Sequence, residues 1–335
     1  MGTFASLPES VSGGPAFADV ASGEPVAGDF ARSRLVLARD IGPAALRDDV
    51  LAGRLRRTRR DAYHPVEPTA GTAVDAQREA RRRIAALAAQ LTTPIWFSHE
   101  SAALIWDLAV VRLSGRTDLT QLYPQNGRTD RDVRRHCAEL PPADRTERGG
   151  LPVTGLERTV LDCAMSLPVD RGLVIADSAL HGGLDVRRLV DRLGRLTGHR
   201  GIRRARTVLA LTDARAESPG ETLVRFVVVQ AGLPHPELQI EVNSAIGTFR
   251  IDLGWSQRKL GIEFDGFVKY SSPDGGTAAE AIFAEKRRQD ALEEAGWKIL
   301  RITWSDLAHP ESLAERIRRH LTSRPDPARE LGGFL

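Results

Sequence analysis

The chain reads as an α+β protein with three structured parts: a short helical unit ending in a basic stretch, a helical middle, and a C-terminal α/β part. Three observations carry this reading. Apolar residues make up 41% of the 335 positions, enough for a sizeable core, and the length fits two or three domains. Between residues 76 and 215 apolar residues recur mainly at helical spacing. After Ser218 the pattern becomes runs of alternating apolar and polar residues between helices that stop at glycine.

Residues 1–30 are rich in Gly, Ala, Ser and Pro without periodicity and read as a flexible leader. Over 31–64 the spacing predicts a helix from Ser33 to Arg39, a break at Ile41-Gly42-Pro43, a second helix from Ala44 to Ala52, and Gly53 as its stop. The stretch from Arg54 to Tyr63 is long enough for two strands of a wing. Helix, turn, helix, wing is the order of a winged helix-turn-helix. Arg47, Arg54, Arg56, Arg57, Arg59 and Arg60 stand against Asp48 and Asp49, a net +4 that can neutralise several phosphates. Both aspartates lie on the second helix, where they oppose phosphate, so a DNA contact surface and a solvated arginine face both remain open.

In the middle part, 76–215, Glu79 to Leu91 has helical spacing and ends before Pro94. Ser98 is placed to cap a helix that begins His99-Glu100-Ser101. Neighbouring residues on a helix point in different directions, so the Ser, His and Glu run reads as a capped helix start and not as a catalytic group. Val160 to Leu167 and Leu173 to Leu180 read as buried helices, and His181-Gly182-Gly183 as a helix stop. This part is expected to connect or bind, without chemistry of its own.

The C-terminal part, 218–322, predicts a helix from Ser218 to Ala231, a strand from Glu237 to Val242, a hairpin, a helix from Ala278 to Ala295, a strand from Trp297 to Thr303 and a last helix from Pro310 to Leu321. Residues 323–335 form a tail. In the hairpin, Phe249, Ile251, Leu253 and Trp255 are expected on one sheet face with Leu260, Ile262 and Phe264. Asp252, Glu263 and Asp265 take the other. With Ser256 to Lys259 as the loop, Trp255 pairs with Leu260, and counting outward sets Asp252 opposite Glu263 and Asp265 opposite Arg250. Opposed carboxylates repel, and a divalent cation turns that repulsion into attraction. A solvated sheet face bearing acids is the competing reading.

Composition excludes several classes. Two cysteines, Cys137 and Cys163, match no zinc motif and form no disulfide framework, which points to a reduced, cytoplasmic setting. No apolar run reaches the length of a membrane span, and the N-terminus lacks the order of a secretory signal. A net charge of +3 is too small to argue nucleic-acid binding from the total.

The C-terminal order, with acids on its second and third strands, resembles the restriction-endonuclease-like fold of the PD-(D/E)XK nucleases. Ser218-Pro219-Gly220-Glu221-Thr222-Leu223, Ile251-Asp252-Leu253, Ile262-Glu263-Phe264-Asp265-Gly266, Glu285-Lys286-Arg287-Arg288 and Gly296-Trp297-Lys298-Ile299-Leu300-Arg301 look like a family related to very-short-patch-repair (Vsr) endonucleases. The wing before Tyr63, His99-Glu100-Ser101-Ala102-Ala103 and Arg158-Thr159-Val160-Leu161-Asp162 resemble proteins labelled AbiEi-type antitoxins. The resemblance implies that Asp252 and Glu263 hold Mg2+ or Mn2+, with Glu221 assisting from the first helix. Glu221 also fits a capping box with Ser218. Asp265 stands where the motif has its lysine. Lys269 is the nearby lysine, but about 20 Å of extended strand separates it from Glu263 unless the chain folds back at Gly266. Lys286 on the next helix is another source of that charge.

Two expectations follow. One is a metal-dependent DNA endonuclease guided by the winged helix. The other is a transcriptional regulator or antitoxin of a toxin-antitoxin system, paired with a partner toxin, in which the nuclease fold is an inactive scaffold. DNA is the expected partner of both.

Overall fold

The computed structural model describes residues 34–69, 71–124, 130–266 and 278–323, a mixed α+β fold with three β-sheets. The N-terminal unit is built on a small apolar seam of Leu37, Ala62 and Ala86. Around it lie β1 (Val36–Leu37), a 3-10 turn (Ala38–Asp40), α1 (Pro43–Leu51), β2 (Leu55–Arg59) and β3 (Ala62–Pro65). The three strands are ordered β1-β3-β2. Where the spacing predicts a helix over 33–39, the described residues form a strand and a 3-10 turn. Leu37 is buried against Ala62 by pairing with β3, and this tertiary contact overrides the local helical spacing. The second helix and the two strands after it fall where they were expected. Pro43 opens α1, and Gly53 beyond its end takes a φ of +69°, a conformation that glycine adopts without strain.

The middle part contains the four expected helices, α2 (Thr72–Ala88), α3 (His99–Ile105), α4 (Leu156–Ser166) and α5 (Val169–His181), and two that were not singled out, α6 (Val186–Arg195) and α7 (Ile202–Leu211). It also contains a sheet that the helical reading did not include. Its strands are β4 (Trp96–Phe97), β5 (Thr117–Gln121), β6 (Val133–Cys137), β7 (Arg145–Arg148) and β8 (Leu151–Thr154), in the order β6-β5-β4-β8-β7. The strand β5 is buried along its whole length although it reads Thr-Asp-Leu-Thr-Gln. A polar strand buried on both faces has no apolar alternation to betray it. Phe97, Leu104, Leu119, Leu161 and Leu173 fill the core between this sheet and the helices.

The C-terminal part follows the predicted order, α8 (Pro219–Gln230), β9 (Glu237–Ser244), β10 (Gly247–Trp255), β11 (Leu260–Asp265), α9 (Ala278–Glu294) and β12 (Lys298–Thr303), with one unpredicted short helix, α10 (Trp304–Leu307), before the last, α11 (Pro310–Thr322). The sheet runs β12-β11-β10-β9. Only β11 and β12 are parallel, and α9 makes the crossover between them. Trp255 pairs with Leu260 and Leu253 with Ile262, the register expected from the loop length.

The facial pattern differs from the expected one. Leu253, Trp255, Leu260 and Ile262 pack with Leu223 and Val224 of α8 and Ile317 of α11. Ile251, by contrast, packs with Ile240, with Leu292 of α9 and with Trp297. Strict alternation would keep Ile251 and Leu253 together. The pairing of β9 with β10 passes from Ile251 and Ile240 to Leu253 and Leu238, leaving Asp252 and Gln239 out of the ladder. Gln239 has a φ of +54°, and this left-handed residue interrupts the alternation. Asp252 therefore sits at a switch between two cores and not on an open sheet face.

Val174 of α5 belongs to the same apolar cluster as Leu223 and Val224 of α8, so the middle and C-terminal parts share packing.

Candidate functional site

Glu221 lies in the first turn of α8, beyond its cap. The Ser218 hydroxyl accepts a hydrogen bond from the Glu221 backbone N–H at 3.1 Å, the forward half of the expected capping box. The carboxylate does not close that box onto Ser218. Its Oε2 accepts from the Glu217 N–H at 3.0 Å and from the Gln239 side-chain amide at 2.9 Å. The left-handed backbone at Gln239 thus delivers an amide to Glu221. On the neighbouring strand, Asp252 Oδ2 accepts from the Phe264 N–H at 2.9 Å.

The charge of Asp252 acts on Glu221. Glu221 is held up to about 7, first by burial and then by the negative charge of Asp252. Asp252 is held up to about 6 by burial, with Glu263 adding repulsion. Glu263 is differently placed. Arg288 of α9 grips both its oxygens, with Nη1 at 3.2 Å from Oε2 and Nη2 on Oε1. Arg288 is thus the cation that the described residues place on Glu263; Lys286 is exposed on the same helix, and Lys269 falls outside the described residues. Arg250, expected opposite Asp265, instead pairs with Glu217 at 2.7 Å, because β10 no longer lies in register with β11 beyond Leu253.

Mg2+ takes hard oxygens and keeps several waters, so two carboxylates are an adequate protein contribution. Glu221 and Asp252 fit that demand: Glu221 is buried, Asp252 is half-buried, and the charge of Asp252 opposes ionisation of Glu221. Glu263 fits it less well, since its charge is already matched by Arg288.

A second cluster lies in the middle part, where no chemistry was expected. Among the described residues, the one group of three His, Cys, Asp or Glu whose ligand atoms all lie within 4.8 Å of one another is His99, Asp118 and His136. This His/Asp/His cluster is able to coordinate a metal. Parallel pairing of β5 with β6 sets Thr120 beside His136, which brings the His136 ring to Asp118, two residues earlier on the same face. His136 Nε2 lies 2.9 Å from Asp118 Oδ1. His99 opens α3 with a φ of +51°, and its ring stacks on His136 at a centroid distance of 3.7 Å. Ser98, expected to cap α3, makes no side-chain cap bond; its hydroxyl lies 3.0 Å from His99 Nδ1. Burial, and after it His136 and the charges of Arg158 and Arg134, pushes His99 down to about 3, while Asp118 opposes the shift. His99 is therefore neutral at physiological pH.

The basic face of the N-terminal unit is uneven. Arg47, Arg54, Arg56, Arg57 and Arg60 lie towards solvent, and Arg54 is partnered by Asp49 at 2.6 Å. Arg59 is not part of that face. A bulge between Arg57 and Arg59 changes the register of β2, and the Arg59 side chain is 8% exposed and bound to Asp130 at 2.8 Å.

No family model matches the chain. Two uncharacterized proteins of Mycobacterium tuberculosis, MT2308 and Rv2248, are each 34% identical to it over 166 residues. The match covers 49% of this chain and 59% of the length of those relatives. A crystal structure of the RV2827C protein from Mycobacterium tuberculosis aligns over 68% of this chain and 88% of that one, with 17% identity and a TM-score of 0.35, too slight a likeness to carry an argument.

Sequence reasoning missed Asp118 and His136, dismissed His99, and gave Arg288 no role beyond its place in the Glu285-Lys286-Arg287-Arg288 run. No local spacing joins the first three, which meet only through strand pairing. For Arg288 a signal was present: Glu285 lies one helical turn before it, within 3.4 Å, marking the face of α9 that carries charge pairs.

Proposed function

We propose that the chain is a DNA-binding protein whose C-terminal part is a metal-dependent endonuclease of the restriction-endonuclease-like type. The observation that carries this reading is the pair Glu221 and Asp252: Glu221 is buried, Asp252 is half-buried, both are held above the usual carboxylate range, and Asp252 adds to the rise of Glu221 while Arg288 is bound to Glu263. Burying two acids together without a cation is costly, and sites that bind a cation are where that cost has a use. Gln239 and the Glu217 N–H orient Glu221, and the Phe264 N–H orients Asp252, so both carboxylates are positioned before any ligand arrives. Bound Mg2+ or Mn2+ would lower the pKa of a water and offset charge on the phosphate. Arg288, held by Glu263 and Glu285, supplies the positive charge that the motif's lysine would otherwise bring. Lys269 remains the other candidate for that role.

For the N-terminal part, α1 followed by the β2–β3 hairpin supports the reading of a helix with a wing, although among the described residues a strand and a 3-10 turn stand where the first helix of a helix-turn-helix was expected. Solvent-facing Arg47, Arg54, Arg56, Arg57 and Arg60 are proposed to meet phosphate.

Nicking of supercoiled DNA in Mg2+ or Mn2+ tests the enzyme reading. The expected result is cleavage by the wild type and none by Asp252→Ala; cleavage unchanged in that variant sinks the assignment.

A second reading has its own support. Asp265 in place of the motif lysine, and Glu263 already neutralised by Arg288, favour a fold kept as a scaffold, as in a transcriptional regulator or an AbiEi-like antitoxin with a partner toxin. Under that reading Asp252→Ala leaves operator binding and repression intact.

A further inference from the structure

We infer that the middle part binds one borderline transition-metal ion of the zinc class through His99, Asp118 and His136. This site is separate from the carboxylates of the C-terminal part and does not depend on their activity.

Four features of the cluster point to a metal. The three ligand atoms lie within 4.8 Å of one another, close enough for one ion to join them once the stacked His99 and His136 rings turn towards it. Asp118 is fully buried, and its Oδ2 has no hydrogen-bond partner, although an unpaired buried carboxylate oxygen is costly. Ser98 Oγ lies at His99 Nδ1, which leaves Nε2 as the ring nitrogen available to a ligand. Metal-binding histidines are commonly held in this way, by a hydrogen bond at the nitrogen that does not bind. The side chain of His136 is 25% exposed, so an ion can enter from solvent although Asp118 is closed off.

The donor set selects the metal. Two imidazoles and one carboxylate suit zinc, iron or nickel, whereas Mg2+ and Ca2+ prefer all-oxygen surroundings. Three protein ligands leave at least one position for water or an anion, as in zinc sites with an open position. Arg134 also faces the cluster, with Nη1 3.5 Å from Asp118 Oδ1, and its charge disfavours a second cation unless an anion completes the shell. An open position that takes an anionic oxygen ligand meets that condition.

The test uses the full chain, stripped with chelator and titrated with Co2+, whose visible bands report nitrogen and oxygen ligation, and with Zn2+ against a chromophoric indicator. The expected result is one ion per chain, kept in Asp252→Asn and lost in His136→Ala. No binding by the wild type, or one ion retained in both His136→Ala and His99→Ala, overturns the proposal. If His136→Ala does not fold, diethyl pyrocarbonate labelling of the wild type decides. Zn2+ should protect His136 and leave the exposed His235 reactive, and equal labelling of His136 with and without Zn2+ overturns it.

Discussion

Asp177 of α5 and Arg225 of α8 form a buried ion pair, at 2.5 Å, across the boundary between the middle and C-terminal parts. The carboxylate also accepts from Thr212, Thr222 and the Asp213 N–H, so both its oxygens are occupied. Burial raises its pKa even so, with Arg225 and these hydrogen bonds opposing the shift. Removing one partner leaves the other buried and uncompensated. Asp177→Ala and Arg225→Ala are each expected to destabilise the protein by about 3–5 kcal/mol. Urea unfolding of the singles and the double checks this: the double should cost clearly less than the singles added together.

Gly220 precedes Glu221, and a Cβ there would overlap the Phe264 ring of β11. Phe264 is itself braced by Trp304, edge to face at 5.1 Å. Gly220→Ala therefore pushes the start of α8 away from β11, moving Glu221 relative to Asp252. The expected cost is about 1–3 kcal/mol of stability, with loss of any Asp252-dependent cleavage. Wild-type cleavage by a folded Gly220→Ala protein would show that the Glu221 position is not critical.

His64 of β3 is 3% exposed and is pushed down from 6.5 to about 4, first by burial and then by Arg82, with Glu67 opposing. The folded protein thus binds this proton less readily than the unfolded chain. The stability tied to neutral His64 is complete above pH 6.5 and is lost as pH falls towards 4. It amounts to about 3 kcal/mol at most. Unfolding midpoints measured across that window should fall less steeply in His64→Gln than in the wild type. Parallel curves for the two proteins refute the assignment.

What the sequence made legible follows from how local each feature is. The hairpin register was readable because a four-residue loop fixes the pairing of Trp255 with Leu260. The side of the sheet on which Ile251 packs was not, because the reversal rests on a left-handed Gln239, a residue type that gives no warning of positive φ. The sheet of the middle part escaped because β4 is two residues long and β5 is polar and wholly buried. His99, Asp118 and His136 converge through one parallel strand pairing and one helix start, and parallel pairing leaves no mark in local spacing. Asp252 and Glu263 were singled out by strand alternation and register and Glu221 by resemblance, yet the partners of Glu221 and Glu263, Gln239 and Arg288, came only from the packing.

The wing gives the last prediction, because two adjacent parts of one strand have different jobs. Arg56 and Arg57 lie towards solvent on β2, while Arg59, past the bulge, ties β2 to Asp130. If the wing meets DNA, removing one of the outer arginines should weaken binding to all sequences and lower the salt slope by about one unit for each phosphate left without its cation. Arg59→Ala should instead leave the slope nearly unchanged and lower the stability of the N-terminal unit, since this arginine anchors the wing and does not reach a phosphate. Fluorescence anisotropy of labelled duplex DNA over a range of salt, run beside thermal melts of each variant, separates the two effects. A slope unchanged in Arg56→Ala/Arg57→Ala would remove the wing from the DNA interface.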